Sequence, residues 1–310
     1  MDANKETLWD RFLSPIIRSL IDEEELKRFR ESIDWEQECD RFAPEQSSDR
    51  LLGGSFGDRF RQPQVSYPKY YSSQNFHGIK NGYLSESAPV TYDPITQYVL
   101  PPNESWVRQG IIDAIDGKPR RILDLGCGTG STTIMLKKAF PQAEVIGLDL
   151  SPYMLVMCDY KAKQAGLDIQ WQHGNAETTG WREGYFDLVT ASLLFHETPP
   201  EVTKTILREC LRLLTPGGEV IILDGNQKVL RSTDWLTEVF EEPYIKDYAQ
   251  GNLDAWLGAV GFDGVRTETW WLVHQISKGI KPIKVNNADF IPHSLELENF
   301  NLPENPAPAF

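Results

Sequence analysis

Arg121-Ile122-Leu123-Asp124-Leu125-Gly126-Cys127-Gly128-Thr129-Gly130 decides how this chain is read. An apolar, strand-like run ends at Leu125, glycines follow at alternate positions, and a helix-like run from Ser131 to Phe140 starts at once. Glycine lets backbone approach a ligand closely, and the unpaired N–H groups of a helix start face whatever lies there. A strand that turns on glycines into a helix is therefore a place to lay a cofactor. The spacing is Asp-x-Gly-x-Gly-x-Gly, not the Gly-x-Gly-x-x-Gly of dinucleotide binders.

Outward from this turn, strand and helix patterns alternate. Asn103 can cap a helix carrying Val107, Ile111, Ile112 and Ile115, with Gly117 as its stop. Val145-Ile146-Gly147-Leu148 is a second buried strand ending at Asp149. Ser151-Pro152 pairs a cap with a first-turn proline and starts a helix that runs to Gly166. Ile169, Trp171 and His173 alternate as a third strand, and Phe186 to Ser192 form a fourth. Helix 199–214, stopped by Pro216-Gly217-Gly218, and a fifth strand from Glu219 to Leu223 follow. Residues 225–250 interrupt the alternation as a lid-like insertion. Leu253 to Val260 form a last helix, and 265–277 read as one strand or a tight hairpin. This order predicts an α/β, mostly parallel sheet with helices on both faces. Ligands in such sheets bind at the carboxyl ends of the strands.

The rest of the chain divides around this unit. Residues 1–102 read as a helical and aromatic-rich cap, 103–280 as the cofactor-binding domain, and 281–310 as an extended tail. Leu8, Trp9, Phe12, Leu13, Ile16, Ile17 and Leu20 share one helical face within 1–45, and residues 46–66 read as loop. Residues 67–100 are irregular and carry Tyr67, Tyr70, Tyr71, Phe76, Tyr83, Tyr92 and Tyr98. They either wall a pocket or pack the first helices onto the next domain.

The net charge of −14 argues against nucleic acid and anionic membrane surfaces as partners. Cys39, Cys127, Cys158 and Cys210 show no metal-ligand or redox spacing, so free thiols and no metal site are expected. The start lacks a signal-peptide pattern and no apolar run reaches membrane-spanning length, which predicts a cytoplasmic protein. Composition leaves the oligomeric state open.

Residues 121–224 resemble the class I S-adenosylmethionine (SAM)-dependent methyltransferases of the small-molecule type. Four stretches carry the likeness in order: Ile122 to Gly130, Val145 to Ser151, Gly174-Asn175-Ala176-Glu177, and Leu214-Thr215-Pro216-Gly217-Gly218. The resemblance implies a Rossmann-like fold with a mostly parallel seven-stranded sheet, SAM as cofactor and S-adenosylhomocysteine as product. It implies that Gly126, Cys127, Gly128 and Gly130 take the methionine end, with Asp124 near the ammonium. Asp149, followed by Leu150, is expected to accept from the ribose hydroxyls. Tyr153 or Met154 would pack on the adenine, and Asn175, Ala176 and Glu177 would meet its edge. The family more often has aspartate where this chain has Asn175.

The fourth strand ends in Ser192-Leu193-Leu194-Phe195-His196-Glu197. In the family that end faces the transferred methyl, so Ser192 is expected at the cofactor and His196 at the acceptor. His196 is a candidate general base, because imidazole takes a proton near neutrality. It could equally be a hydrogen-bonded histidine that shapes the loop, with Glu197 orienting it. His77 is the rival base if the aromatic segment covers the site. Tyr83 and Tyr244 are candidates for lining a substrate pocket. These features predict methyl transfer to a small molecule, with oxygen slightly favoured over nitrogen or carbon. A non-catalytic SAM binder and a nucleotide-dependent oxidoreductase are the alternatives, and the glycine spacing speaks against the second.

Overall fold

The computed structural model describes residues 57–79, 81–100 and 103–283, with the single helical positions 24, 28 and 32. Most of the expected helical region 1–45, and the tail beyond 283, lie outside the described residues.

The sheet has seven strands: β1 (Arg121–Leu125), β2 (Glu144–Asp149), β3 (Gln170–His173), β4 (Phe186–Ser192), β5 (Leu214–Gly225), β6 (Asp263–Trp270) and β7 (His274–Ile280). Their spatial order is β3-β2-β1-β4-β5-β7-β6. The first five are parallel, and β7 lies antiparallel between β5 and β6. After its first residue β1 is buried throughout, and so is β2, as expected for parallel strands covered on both faces. Ile122, Leu123, Leu125, Ile146, Leu148 and Val189 lie in this core. Strand order reverses between β1 and β4, so the carboxyl ends Leu125 and Ser192 flank the switch point.

The helices, in chain order, are α1 (Lys69–Ser72), α2 (Ala88–Val99), α3 (Glu104–Asp113), α4 (Ser131–Ala139), α5 (Pro152–Gln164), α6 (Pro200–Leu213), α7 (Gln227–Arg231), α8 (Asp234–Phe240), α9 (Ile245–Gln250) and α10 (Leu253–Val260). The expected caps form: Asn103 accepts from the Trp106 N–H at 2.9 Å, and Ser151 from the Met154 N–H at 3.3 Å.

Two expectations change and one open alternative is resolved. Residues 67–100 hold two helices, and α2 forms in spite of Pro94 inside it. Pro216-Gly217-Gly218 does not separate α6 from its strand. Leu214 already pairs with Phe186, and 215–218 bulge out before Glu219 pairs with Leu188. The 265–277 stretch is the hairpin alternative, with His274 opening β7. The insertion after β5 consists of α7, α8 and α9. No helix among the described residues is long and apolar enough to cross a membrane.

Candidate active site

A cleft of about 680 Å³ opens at the carboxyl ends of β1 and β2. Its floor is the glycine turn. Gly126, Gly128 and Gly130 all adopt positive φ, at +60°, +53° and +83°. A side chain on Gly126 would also collide with Leu194, its Cβ lying 2.7 Å from Cδ1. The turn is tied to β2 twice: the Cys127 N–H donates to the Leu148 carbonyl at 3.0 Å, and the Gly128 N–H to Asp149 Oδ2 at 2.8 Å.

Glu197 lines this cleft, and Asp149 is the carboxylate beside the glycine turn. Its other oxygen accepts from the Ser151 N–H at 2.8 Å. Burial pushes its acid up to about 7, against the pull of those two amides. A donor arriving from a ligand favours the ionised form. Each oxygen has a second lone pair, so a ribose diol fits there. The Tyr71 hydroxyl is buried in the cleft wall with no partner among the described residues. An orphaned donor and an under-served carboxylate in one glycine-floored cleft fit a nucleoside ligand.

Of the residues expected at the cofactor, Gly126, Gly128, Asp149 and Leu150 lie in the cleft wall, as do Met154, Asn175 and Ala176. The others do not line it. Asp124 is buried beneath the turn, accepting from Thr133 at 2.6 Å and Thr190 at 2.7 Å, so both its oxygens already hold threonines. Cys127 packs its thiol 4.0 Å from Cys158. A Cβ on Gly130 would sit 3.0 Å from Trp171, so that glycine serves packing. Glu177 accepts from the Tyr70 hydroxyl at 2.9 Å, and Ser192 from Arg108 at 2.7 Å.

The aromatic segment forms the opposite wall. Tyr70, Tyr71, Tyr83 and Tyr92 all face the cleft. The segment is pinned by His173, whose Nδ1 accepts from the Gln62 N–H at 2.9 Å while Nε2 lies 3.0 Å from the Leu150 carbonyl. Lys161 holds Asp93 of α2 at 2.9 Å, and the same carboxylate accepts from Thr129 of the glycine turn. Tyr83 thus stands at the cofactor cleft rather than deeper in. The Tyr244 hydroxyl donates to the Tyr70 carbonyl at 3.2 Å, bracing the wall from the insertion.

A second cavity, of about 490 Å³, adjoins the first and shares Tyr92 and Leu193 with it. Leu193 is held at φ +59°, a left-handed conformation that costs on the order of 1 kcal/mol outside glycine. Its N–H is fixed by the Leu223 carbonyl at 2.8 Å. Leu100, Leu230, Ile245 and Val273 give the cavity apolar walls, and His77, His196 and His274 are its polar points.

His196 Nδ1 lies 2.7 Å from Asp224 Oδ1 at the end of β5. This orients the ring and leaves Nε2 for the cavity. Burial lowers its basicity, but the Asp224 carboxylate outweighs that and holds it above the ordinary range. His77 is different. Its Nδ1 is 2.9 Å from Glu242 and its Nε2 3.3 Å from Glu197. Burial works against its charge, but the two carboxylates prevail and raise it to about 10. With a carboxylate facing each of its nitrogens, it suits the rival-base role less well than His196. His274 is pushed down to about 4 by burial and stays neutral. Asp224, Glu242 and His274 escaped the sequence reading, because no local spacing links them to His196, whereas Tyr92 was among the aromatics expected to wall a pocket.

Residues 122–218 match the family described as methyltransferase domain. Among curated proteins, the chain is 36% identical to a demethylmenaquinone methyltransferase of Thermus thermophilus over 119 residues, covering 38% of this chain and 53% of the relative. It is 39% identical to that of Lactococcus lactis over 157 residues, covering 50% and 58%. The chain thus spans about half the length of the curated relatives it matches. A Haemonchus contortus phosphoethanolamine N-methyltransferase 2 structure with S-adenosylhomocysteine superposes with a TM-score of 0.51 at 16% identity, over 64% of this chain and 58% of that one. An O-methyltransferase family protein of Burkholderia thailandensis gives 0.51 at 15%, over 64% and 61%. These two likenesses concern the fold. The glycine turn and Asp149 both lie inside the segment, residues 122–218, that is similar to the methyltransferase domain family.

Proposed function

We propose that this protein transfers the SAM methyl group to an oxygen of a small, largely apolar hydroxyl compound. The observation that carries the reading is the shared wall. The glycine-floored cleft and the apolar cavity meet at Tyr92 and Leu193. A sulfonium in the first and a nucleophile in the second approach each other across that boundary. Holding the pair in line and away from water supplies much of the rate.

In this reading Asp149 takes the ribose, Met154 and Ala176 take the adenine, and the apolar walls take the acceptor. The acceptor oxygen attacks the methyl carbon. The C–S bond breaks, its electron pair stays on sulfur, and neutral S-adenosylhomocysteine remains. The hydroxyl proton passes to His196 Nε2, whose positive charge Asp224 balances. A second reading takes a demethylated quinone as acceptor, the compound class named for the relatives, since the apolar walls suit it as well. Turnover to S-adenosylhomocysteine is measured over a panel of phenols, alcohols and demethylated quinones. At least one should be methylated, and Leu193→Trp, which fills the boundary, should abolish turnover while SAM still binds. SAM binding without turnover on any acceptor would favour a non-catalytic binder.

A further inference from the structure

We propose that His77, His196 and Glu197 form a binding site for one divalent cation of the Zn²⁺, Fe²⁺ or Co²⁺ class where the acceptor cavity, lined by the two histidines, meets the cofactor cleft, lined by Glu197. His77 and His196 are buried and Glu197 is largely covered, and one donor atom from each lies within 4.8 Å of the others. His77 Nε2 and Glu197 Oε1 are 3.3 Å apart. Two ligands each about 2.1 Å from one tetrahedral ion lie about 3.4 Å apart.

The surroundings have the arrangement that metal-binding histidines need. Each imidazole gives its other nitrogen to a buried carboxylate: His196 Nδ1 to Asp224 at 2.7 Å, His77 Nδ1 to Glu242 at 2.9 Å. Such partners fix the tautomer and aim Nε2 at the ion. His77 is also held at φ +49°, and its N–H donates to the same Glu242 oxygen at 2.8 Å. Backbone strain anchored by the residue that orients the ring is a constraint in search of a ligand.

Charge supports the same site. The Asp224 and Glu242 side chains are 0% exposed and that of Glu197 12%. Glu242 Oε2 has no partner among the described residues. Three carboxylates surround two imidazoles. One dication with neutral imidazoles supplies the same positive charge as two imidazoliums, without requiring both rings to be protonated. Two nitrogens and one carboxylate suit Zn²⁺, Fe²⁺ or Co²⁺ better than Mg²⁺ or Ca²⁺. The ligands come from residue 77 and from 196–197, so no local spacing announces them, and the sequence reading expected no metal. The proposal rests on the methyltransferase reading only for the naming of the cavity. With the cation bound, His196 is a ligand rather than the proton acceptor. An acceptor hydroxyl at the open coordination position then loses its proton more readily.

The test uses full-length protein stripped with a chelator and titrated with Co²⁺. Visible d–d absorption should saturate at one Co²⁺ per chain and be displaced by one equivalent of Zn²⁺. His196→Ala should lose the signal while SAM titration shows an intact donor cleft. Asp224→Asn should weaken Co²⁺ by about tenfold or more while keeping the first ligand set. No saturable absorption, or an unchanged signal in a His196→Ala protein that still binds SAM, would overturn the site. Failure of SAM to bind the wild type counts against the methyltransferase reading and leaves the cobalt result to be judged alone.

Discussion

At the residue scale, Asp149 and His196 were both singled out by their places at strand ends, and the structure puts Asp149 in the cleft and His196 in the second cavity. A carboxylate at the end of a strand next to a glycine turn has few other uses, and His196 stood at the end of the fourth strand. Asp149 gives a pH prediction. Its acid lies at about 7 in the free protein. SAM binding through the ribose needs the ionised form, so protonation competes with the ligand. SAM affinity should fall with pH below 7, approaching about tenfold for each further unit. Calorimetric titrations between pH 5 and 8 check this (on the order of three pH units, a range wide enough to span the transition), and Asp149→Asn should bind weakly with a flat profile. His196→Ala should lower turnover by about 100-fold or more while SAM affinity stays within about twofold. Near-normal turnover would remove His196 from the mechanism. Asp124 shows the limit of a motif. Its family position suggests a ligand contact, but it is buried beneath the turn with Thr133 and Thr190 and does not line the cleft.

At the element scale, the regular half of the chain was easy to read because buried parallel strands and capped helices leave local signatures. Helix α2 was not, because Pro94 falls within it and its aromatics follow no single period. Arg108 on α3 was also missed, since a lone arginine at a helical position reads as surface. It is buried and bridges three elements: Glu104 on its own helix at 2.7 Å, Thr132 of α4 at 2.9 Å and Ser192 of β4 at 2.7 Å. Removing one partner of a buried pair leaves an unbalanced charge. Arg108→Ala should therefore cost about 3–5 kcal/mol in chemical denaturation. The double variant Arg108→Met with Glu104→Gln should recover much of that loss. A single variant as stable as wild type would show that Glu104 finds another cation.

At the scale of the whole molecule, His77, His196 and His274 meet in one cavity, and the burial of His274 shapes acid stability. His274 is pushed from 6.5 down to about 4 by burial. Between those values the unfolded chain takes a proton that the folded chain refuses. Stability should fall as pH drops through that window, by at most about 3 kcal/mol. Denaturant unfolding across the window measures the slope, and His274→Gln should flatten it. What no sequence pattern conveyed was the meeting of distant segments. The cap tyrosines, the β4 end, the β5 end and the insertion converge only in the folded chain, and the second cavity is made of that convergence.

The central claim is that the glycine turn and Asp149 form a SAM site that opens onto this cavity. Calorimetric titration of SAM into the wild-type protein and the Asp149→Ala variant tests it most directly. The account predicts saturable binding of one SAM per chain in the wild type, weakened by about tenfold or more in the variant, as loss of a charge-assisted hydrogen bond implies. Absence of saturable binding, or equal affinity in the two proteins, would contradict it.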